Sequence, residues 1–422
     1  MFTTIGFTPM PPPALGIDFG TSGARAIVVD GEGKSLARAR FPLHQPDSPK
    51  AWAETLWHLI LALPLSVRQR VERIAIDATS STVLLCTPQG EPCSPVLLYN
   101  DNRAQGYAAQ LAQLLPAEQP AVSSTSSLAK LLWLREHCSQ TAAVLVHQAD
   151  WLAFLLHGQL GVSDWHNALK LGYDPAQETY PAWFEHPELA PLQPFLPRVV
   201  PPGTVVGAVR SKEFGFPPTC QVCAGTTDSI AAFLASGAQG VGEAVTSLGS
   251  TLVLKLLSDR PVSEAKSGIY SHRLGNRWLV GGASNCGGAI LRHFFSEAEL
   301  VALSAQIDPQ QPTGLNYYPL LEAGERFPIA DPHLQPRLEP RPAEPHRFLQ
   351  GLLESLSRIE QQGYQRLQEL GASPLRRVWT AGGGAHNPVW LAIRRQQLGV
   401  PVEVAAQTEA AYGAARLAQG VL

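Results

Sequence analysis

Three stretches of this chain place carboxylates, hydroxyls and glycines at spacings that can do chemistry. Residues 16–25 read GIDFGTSGAR: an apolar run, then Asp18, then Thr21 and Ser22 between Gly20 and Gly23. A tight hairpin tip aims several backbone N–H groups at one point, which makes a nest for phosphate oxygens. Gly20 and Gly23 permit close approach and positive φ, and Thr21 and Ser22 add hydroxyl donors. Asp18, at the strand end, can hold a hydrated Mg²⁺ through water. A plain hairpin with Asp18 turned to solvent would use the same residues. No GK[ST] follows, so this is not a Walker loop.

AGTTDSI places Asp228 at a strand-to-helix junction. Asp is a common helix N-cap. It is also a candidate general base that the helix dipole keeps ionised, and it suits a hydroxyl that loses its proton late in a loose phosphoryl-transfer transition state. Gly249, Ser250 and Thr251 in SLGST can grip further phosphate oxygens. GGASNCGG at 281–288 and AGGGAHN at 381–387, with Gly383, Gly384 and Asn387, can let backbone lie flat against an adenine and its ribose. Asn387 is equally an N-cap, and Trp390 equally a core aromatic. Ser80 in DATSST, and Asp101 and Arg103 in YNDNR, follow strands and can hydrogen-bond vicinal hydroxyls. The latter two also suit a surface ion pair.

The elements that must carry these residues read as α/β. Strands at 15–19, 25–30 and 36–43, with glycine turns between them, form an antiparallel meander. A helix near 51–63 precedes a buried run at Ile74–Ile76, expected to lie parallel to the first strand. Two strands are expected around the Gln89-Gly90 turn, and a helix over 124–138. The proline- and aromatic-rich region 173–203 reads as a long irregular loop and the candidate domain boundary zone. The plan then restarts: EAVTSLGSTLVLKLL echoes the opening hairpin, as two domains of one design would. Phe348, Leu352, Leu356, Ile359, Gly363, Leu367 and Leu370 mark a long amphipathic helix that Gly371 ends. Asn387 and Pro388 start another helix, and Gly399 stops it.

The totals bound the rest. A length of 422 residues suggests two or three domains, and 45% hydrophobic residues suffice for large cores. A net charge of -3 points away from nucleic acid and anionic membrane and toward small-molecule or protein partners. Six cysteines in no dense framework fit a reducing, cytoplasmic setting. Cys220 and Cys223 form one CxxC without the second pair a structural zinc would want. The N-terminus lacks a basic n-region, and no apolar stretch reaches 18 residues, so neither a signal peptide nor a membrane span is expected.

In order along the chain, DFGTSGAR, AGTTDSIAAF, SLGST, GGASNCGG and AGGGAHNPVW with TEAAYGAA resemble the FGGY carbohydrate kinases, over residues 14–420. AIDATSSTVLLC, SSTSSLAKL and DWHNALKLGY are similar to the short ribulokinase/xylulokinase-like members of photosynthetic organisms, which phosphorylate D-ribulose. The resemblance implies two ribonuclease-H-like domains of the actin-like ATPase fold, with ATP in the cleft. The expected division is 1–224, carrying the sugar and the first phosphate loop, and 225–422, carrying the catalytic base and ATP. It implies Asp228 as catalytic base, Asp18 at Mg²⁺ and the transferring phosphate, and Thr21 beside it. Gly20, Thr21, Ser22 and Gly23 make the first phosphate loop, and Gly249, Ser250 and Thr251 the second. Gly383, Gly384 and Asn387 make the adenosine motif, with Trp390 lining the nucleotide. Asp18, Ser80, Asp101, Arg103 and Asp228 face the sugar. The expected activity is transfer from ATP to the terminal hydroxyl of a ketopentose, by a monomer or small homo-oligomer. Phosphorylation of D-xylulose or another polyol, an actin-like ATPase, and a sugar-binding regulator are the alternatives. Two departures stand out: Thr79 and Ser80 replace a Met-His pair of many members, and Tyr99 replaces a Trp.

Overall fold

A computed structural model of the chain describes residues 10–138 and 143–421. The chain divides into two compact units. One runs to Ala235 and is rejoined by the segment from Glu409 on; the other is Ser236–Thr408. The boundary expected at 224/225 therefore moves to 235/236, and Asp228 belongs to the first unit. The region 173–203 is no boundary either. It lies inside the first unit, in short turns and the strand Arg198–Val200. The reason is packing between helices distant in sequence. A Cβ on Gly413, in the helix Ala410–Ala418, would stand 1.8 Å from the carbonyl oxygen of Ala231 in the helix Asp228–Ala235. Only glycine lets the two backbones meet this closely.

The first unit is built on β1 (Ala14–Phe19), β2 (Gly23–Val29), β3 (Ser35–Pro42) and β4 (Arg73–Ala78). The first three form the expected antiparallel meander, and β4 lies parallel to β1 with Asp18 opposite Asp77. β5 (Val83–Cys86) pairs with β6 (Val144–His147), and β7 (Val162–Asp164) with β8 (Arg198–Val200). The second strand expected after the Gln89-Gly90 turn is reduced to isolated bridges, Val83 with Leu97 and Cys86 with Pro92; between them the Leu85 amide donates to Ser94 Oγ at 2.8 Å rather than to a backbone carbonyl. β9 (Val205–Ala208), β10 (Gln221–Cys223) and β11 (Thr226–Thr227) complete the main sheet, in the order β3-β2-β1-β4-β10-β9 with β11 also on β4.

Alternation along β1 and β4 splits the side chains between two faces. Leu15, Ile17, Ile74 and Ile76 pack with Trp52, Leu56 and Leu152 from two helices. Ala14 and Ala75 pack with Ala411 and Ala415 of the C-terminal helix. That second face uses small residues because the helix lies almost on the strand: a Cβ on Gly16 would be 1.9 Å from the carbonyl oxygen of Ala411.

The second unit repeats the plan. β12 (Glu243–Leu248), β13 (Leu252–Ser258), β14 (Tyr270–Leu274) and β15 (Arg277–Ser284) are antiparallel neighbours, while β16 (Arg377–Ala381) and β17 (Val402–Val404) add in parallel. The long helix Pro345–Glu369 lays Phe348, Leu352, Leu356 and Ile359 into the same core as Leu254 and Leu256. Asn387 caps the helix Pro388–Leu398, and Gly399 ends it in the left-handed region, as the sequence predicts. Among the described residues no helix is long and apolar enough to cross a membrane.

Candidate active site

The first unit gathers three acids at the carboxyl end of its parallel strands. Asp18, the penultimate residue of β1, is buried and accepts a hydrogen bond from Arg25 Nη1 at 3.2 Å. Its register partner Asp77 on β4 is fully buried. No N–H or hydroxyl group among the described residues reaches either Asp77 oxygen, so its partner is the carboxylate of Asp18. Two carboxyls can share a hydrogen bond only if one keeps its proton. Burial first, then the negative charges of Asp18 and Asp228, push Asp77 well above the usual carboxylate range and make it the proton holder. Burial also raises Asp18, against the lowering effect of Asp77 and Arg25. Asp228 is half-buried at the start of the helix Asp228–Ala235, where it accepts from the Ser229 amide at 2.6 Å. Asp77 was missed in the sequence; the available signal was an acid inside the apolar run of IAIDA.

Thr21 and Ser22 are exposed at the β1–β2 tip, where the Gly20 amide donates to the Gly23 carbonyl at 3.0 Å. Neither glycine takes the positive φ expected of it. Gly23 is required by proximity instead, since a Cβ there would meet the Phe41 carbonyl oxygen at 2.8 Å.

Ser80 is half-buried just after β4. Asp101 and Arg103 engage each other: Arg103 Nε lies 3.0 and 2.9 Å from the two Asp101 oxygens. Burial opposes ionisation of Asp101, but the hydrogen bonds and charge of Arg103 leave its pKa lowered. Arg103 also lies over the Trp133 ring, 5.2 Å from its centre. The ion pair weighed from the sequence is thus formed.

The second unit carries the other loops. At the β12–β13 tip, the Gly249 carbonyl accepts from the Gly288 amide at 2.8 Å and the Ser250 carbonyl from the Ala289 amide at 3.1 Å. Ser250 Oγ accepts from Arg292 Nη2 at 2.8 Å, a cation that sequence reasoning did not single out. A cavity of about 480 Å³ brings together Gly249, Gly383, Gly384, Asn387, Trp390 and Arg292. Asn387 Oδ1 caps its helix by accepting from the Val389 and Trp390 amides, each at 3.1 Å, while its Nδ2 donates to Ser304 Oγ at 2.9 Å. Ser250 and Thr251 flank this cavity in the chain without lining it.

Residues 14–235 match the FGGY family of carbohydrate kinases, N-terminal domain, and residues 244–419 match its C-terminal domain. The chain belongs to the FGGY family of carbohydrate kinases. It is 27% identical to the xylulose kinase of Streptomyces coelicolor, over 97% of this chain and 88% of that protein. It is 22% identical to the gluconokinase of Bacillus subtilis, over 89% of this chain and 81% of the relative. The crystal structure of xylulose kinase from Rhodospirillum rubrum superposes with a TM-score of 0.81 at 23% identity, covering 96% of this chain and 89% of that one. Plasmodium falciparum glycerol kinase with ADP also gives 0.81, at 16% identity. The expected fold class holds: this is the two-domain actin-like fold of FGGY kinases, and the chain is an ATP-dependent sugar kinase of that family. The family match also ends its N-terminal domain at 235, after Asp228.

Proposed function

We propose that this FGGY kinase transfers the γ-phosphate of ATP to the terminal hydroxyl of a ketopentose, with D-ribulose as the substrate and D-ribulose 5-phosphate and ADP as products. The observation that carries the reading is the acid cluster: Asp228 half-buried at a helix start, close enough to the Asp18–Asp77 pair for its charge to raise Asp77. Asp228 accepts the proton of the sugar hydroxyl as the oxygen–phosphorus bond forms and the bond to ADP breaks. A carboxylate in this role suits a nucleophile that loses its proton late. The Thr21 and Ser22 hydroxyls and amides, and those of Ser250 and Thr251 in the second unit, take up phosphate charge. Adenosine occupies the cavity bounded by Gly383, Gly384, Asn387 and Trp390.

Mg²⁺ fits the first unit as a hydrated ion rather than a chelated one. No three His, Cys, Asp or Glu side chains among the described residues converge to hold an ion directly. The carboxylates of Asp18 and Asp228 nevertheless bring negative charge to this end of the sheet, and Arg25 pairs with Asp18. Asp18 would hold it through water, and the ion would neutralise β- and γ-phosphate charge.

The D-ribulose reading is supported by the similarity of AIDATSSTVLLC, SSTSSLAKL and DWHNALKLGY to the ribulokinase/xylulokinase-like members, while Thr79 and Ser80 in place of a Met-His pair make the sugar the point to test. D-xylulose is the second reading, favoured by relatives named xylulose kinase. ADP release measured with D-ribulose, L-ribulose, D-xylulose, gluconate, glycerol and no sugar decides between them. The highest kcat/KM is expected with D-ribulose. ADP release that ignores the sugar would overturn the kinase assignment, and preference for another sugar would overturn the substrate.

A further inference from the structure

Three physically costly features coincide behind the loops assigned to the sugar. The first is Lys130, on the helix Ser127–His137, which is fully buried. Its Nζ donates to the carbonyl oxygens of Ser81 at 2.7 Å and Leu98 at 2.6 Å. No carboxylate pairs with it among the described residues, although a buried cation without a counter-charge is costly. Burial, opposed by the charge of Asp101 and reinforced by Lys170 and Arg103, brings its ammonium down to about 7. The second is Ser81 itself, a non-glycine residue at φ 62, in the left-handed region that a side chain disfavours. The third is the Ser81 hydroxyl, buried without a hydrogen-bond partner.

A cheaper fastening between the same segments already exists. Val83 and Leu97 exchange backbone hydrogen bonds of 3.0 and 2.9 Å, and the Tyr99 amide donates to Thr82 Oγ1 at 3.0 Å. Cohesion alone therefore does not call for a buried lysine. What Lys130 adds is aim. The two carbonyls it grips lie immediately after Ser80 and immediately before Tyr99, so one ammonium fixes how both loops present their next residues. The helix that carries it is itself anchored: Ser126 Oγ accepts from the Ala129 amide at 3.1 Å, and Ser127 Oγ lies 3.1 Å from His147 Nε2, whose Nδ1 lies 3.1 Å from Asp150. Costly local features that a fold retains concentrate where function constrains it.

We propose that Lys130 is a positioning residue for sugar recognition, holding the Ser80–Ser81 turn and the Leu98–Arg103 segment in one register so that together they form the sugar-binding surface. This rests on the reading that these two loops meet the sugar. Lys130 does not touch the sugar; it acts through the two carbonyls.

The test is steady-state kinetics of the full chain with the best sugar from the panel above, comparing wild type with Lys130→Met, which keeps the length and loses every donor, and Lys130→Gln, which keeps one amide donor group. Lys130→Met is expected to raise the sugar KM tenfold or more while leaving the ATP KM within twofold, with Lys130→Gln between it and wild type. A purely structural lysine would lower the melting temperature and impair both substrates together. An unchanged sugar KM, a parallel rise in both KM values, or failure of both variants to fold would overturn the proposal. If wild type itself phosphorylates no sugar of the panel, the function proposed above fails instead, and the two failures are told apart by that control.

Discussion

Burial and the negative charges of Asp18 and Asp228 hold the Asp77 carboxyl well above the usual carboxylate range. That carboxyl therefore opposes folding when ionised. For an acid whose folded pKa is raised, the stability contributed is complete below the unfolded value, near 4, and is lost as pH rises through the folded value. Asp77→Asn removes that dependence and keeps an N–H to donate to Asp18. We expect its melting temperature at pH 7 to exceed wild type by about 2 °C or more, with the gap closing toward pH 4. Thermal melts across that range check it; a gap that widens in acid contradicts the assignment. Asp228 is predicted to behave differently. Asp228→Ala should lower kcat by roughly 10²–10⁴, the range for a lost general base, while isothermal titration finds ATP affinity close to wild type. Near-normal turnover would remove Asp228 from the chemistry.

At the scale of elements, the loops of the second unit proposed to hold the nucleotide stand on a buried ionic frame. Arg394 donates through Nε and Nη2 to both Glu360 oxygens at 2.6 and 2.7 Å, and through Nη1 to Thr380 Oγ1 at 2.6 Å. Thr246 Oγ1 donates to the same carboxylate at 2.5 Å and meets the Tyr364 hydroxyl at 2.7 Å. This ties β12 and β16, which lead into the Gly249 and Gly383 loops, to the helices Pro345–Glu369 and Pro388–Leu398. Arg394 is 0% exposed and Glu360 1%, so removing one partner strands a buried charge. Glu360→Ala is expected to cost roughly 3–5 kcal/mol, measured by denaturant unfolding, and to raise the ATP KM more than the sugar KM. A loss below 1 kcal/mol would mean the frame is dispensable.

The whole molecule repeats one plan, a meander with a glycine- and hydroxyl-bearing hairpin tip beside parallel strands, yet the repeats do not close in the same way. The helix Ala410–Ala418 belongs to the first unit, where Ala411 and Ala415 cover Ala14, Ala75 and Cys223. A chain ending at Thr408 should therefore lose the calorimetric transition of the first unit and become protease-sensitive within residues 14–235, while the second unit keeps its own transition. Equal protection of both units would show that the helix is an accessory.

Much of this was legible from sequence by itself. Alternating apolar residues around glycine turns define the β1–β3 meander and the β12–β13 echo, and the spacing from Phe348 to Leu370 defines the long helix, because these signals are local and repeat with the period of the element. Asn387, Pro388 and Gly399 mark helix ends through cap chemistry that acts within a few residues. The ordered motifs also determined the family. Tertiary structure alone decided the rest. Asp18 and Asp77 become a proton-sharing pair only because parallel pairing sets them opposite each other and burial removes water. Asp101 and Arg103 suited an ion pair as well as a ligand, and only the folded chain shows that the pair forms. A helix of small residues announces close packing without naming what it packs against, so its return to the first sheet, and with it the true boundary at 235/236, is visible only once distant segments are brought together.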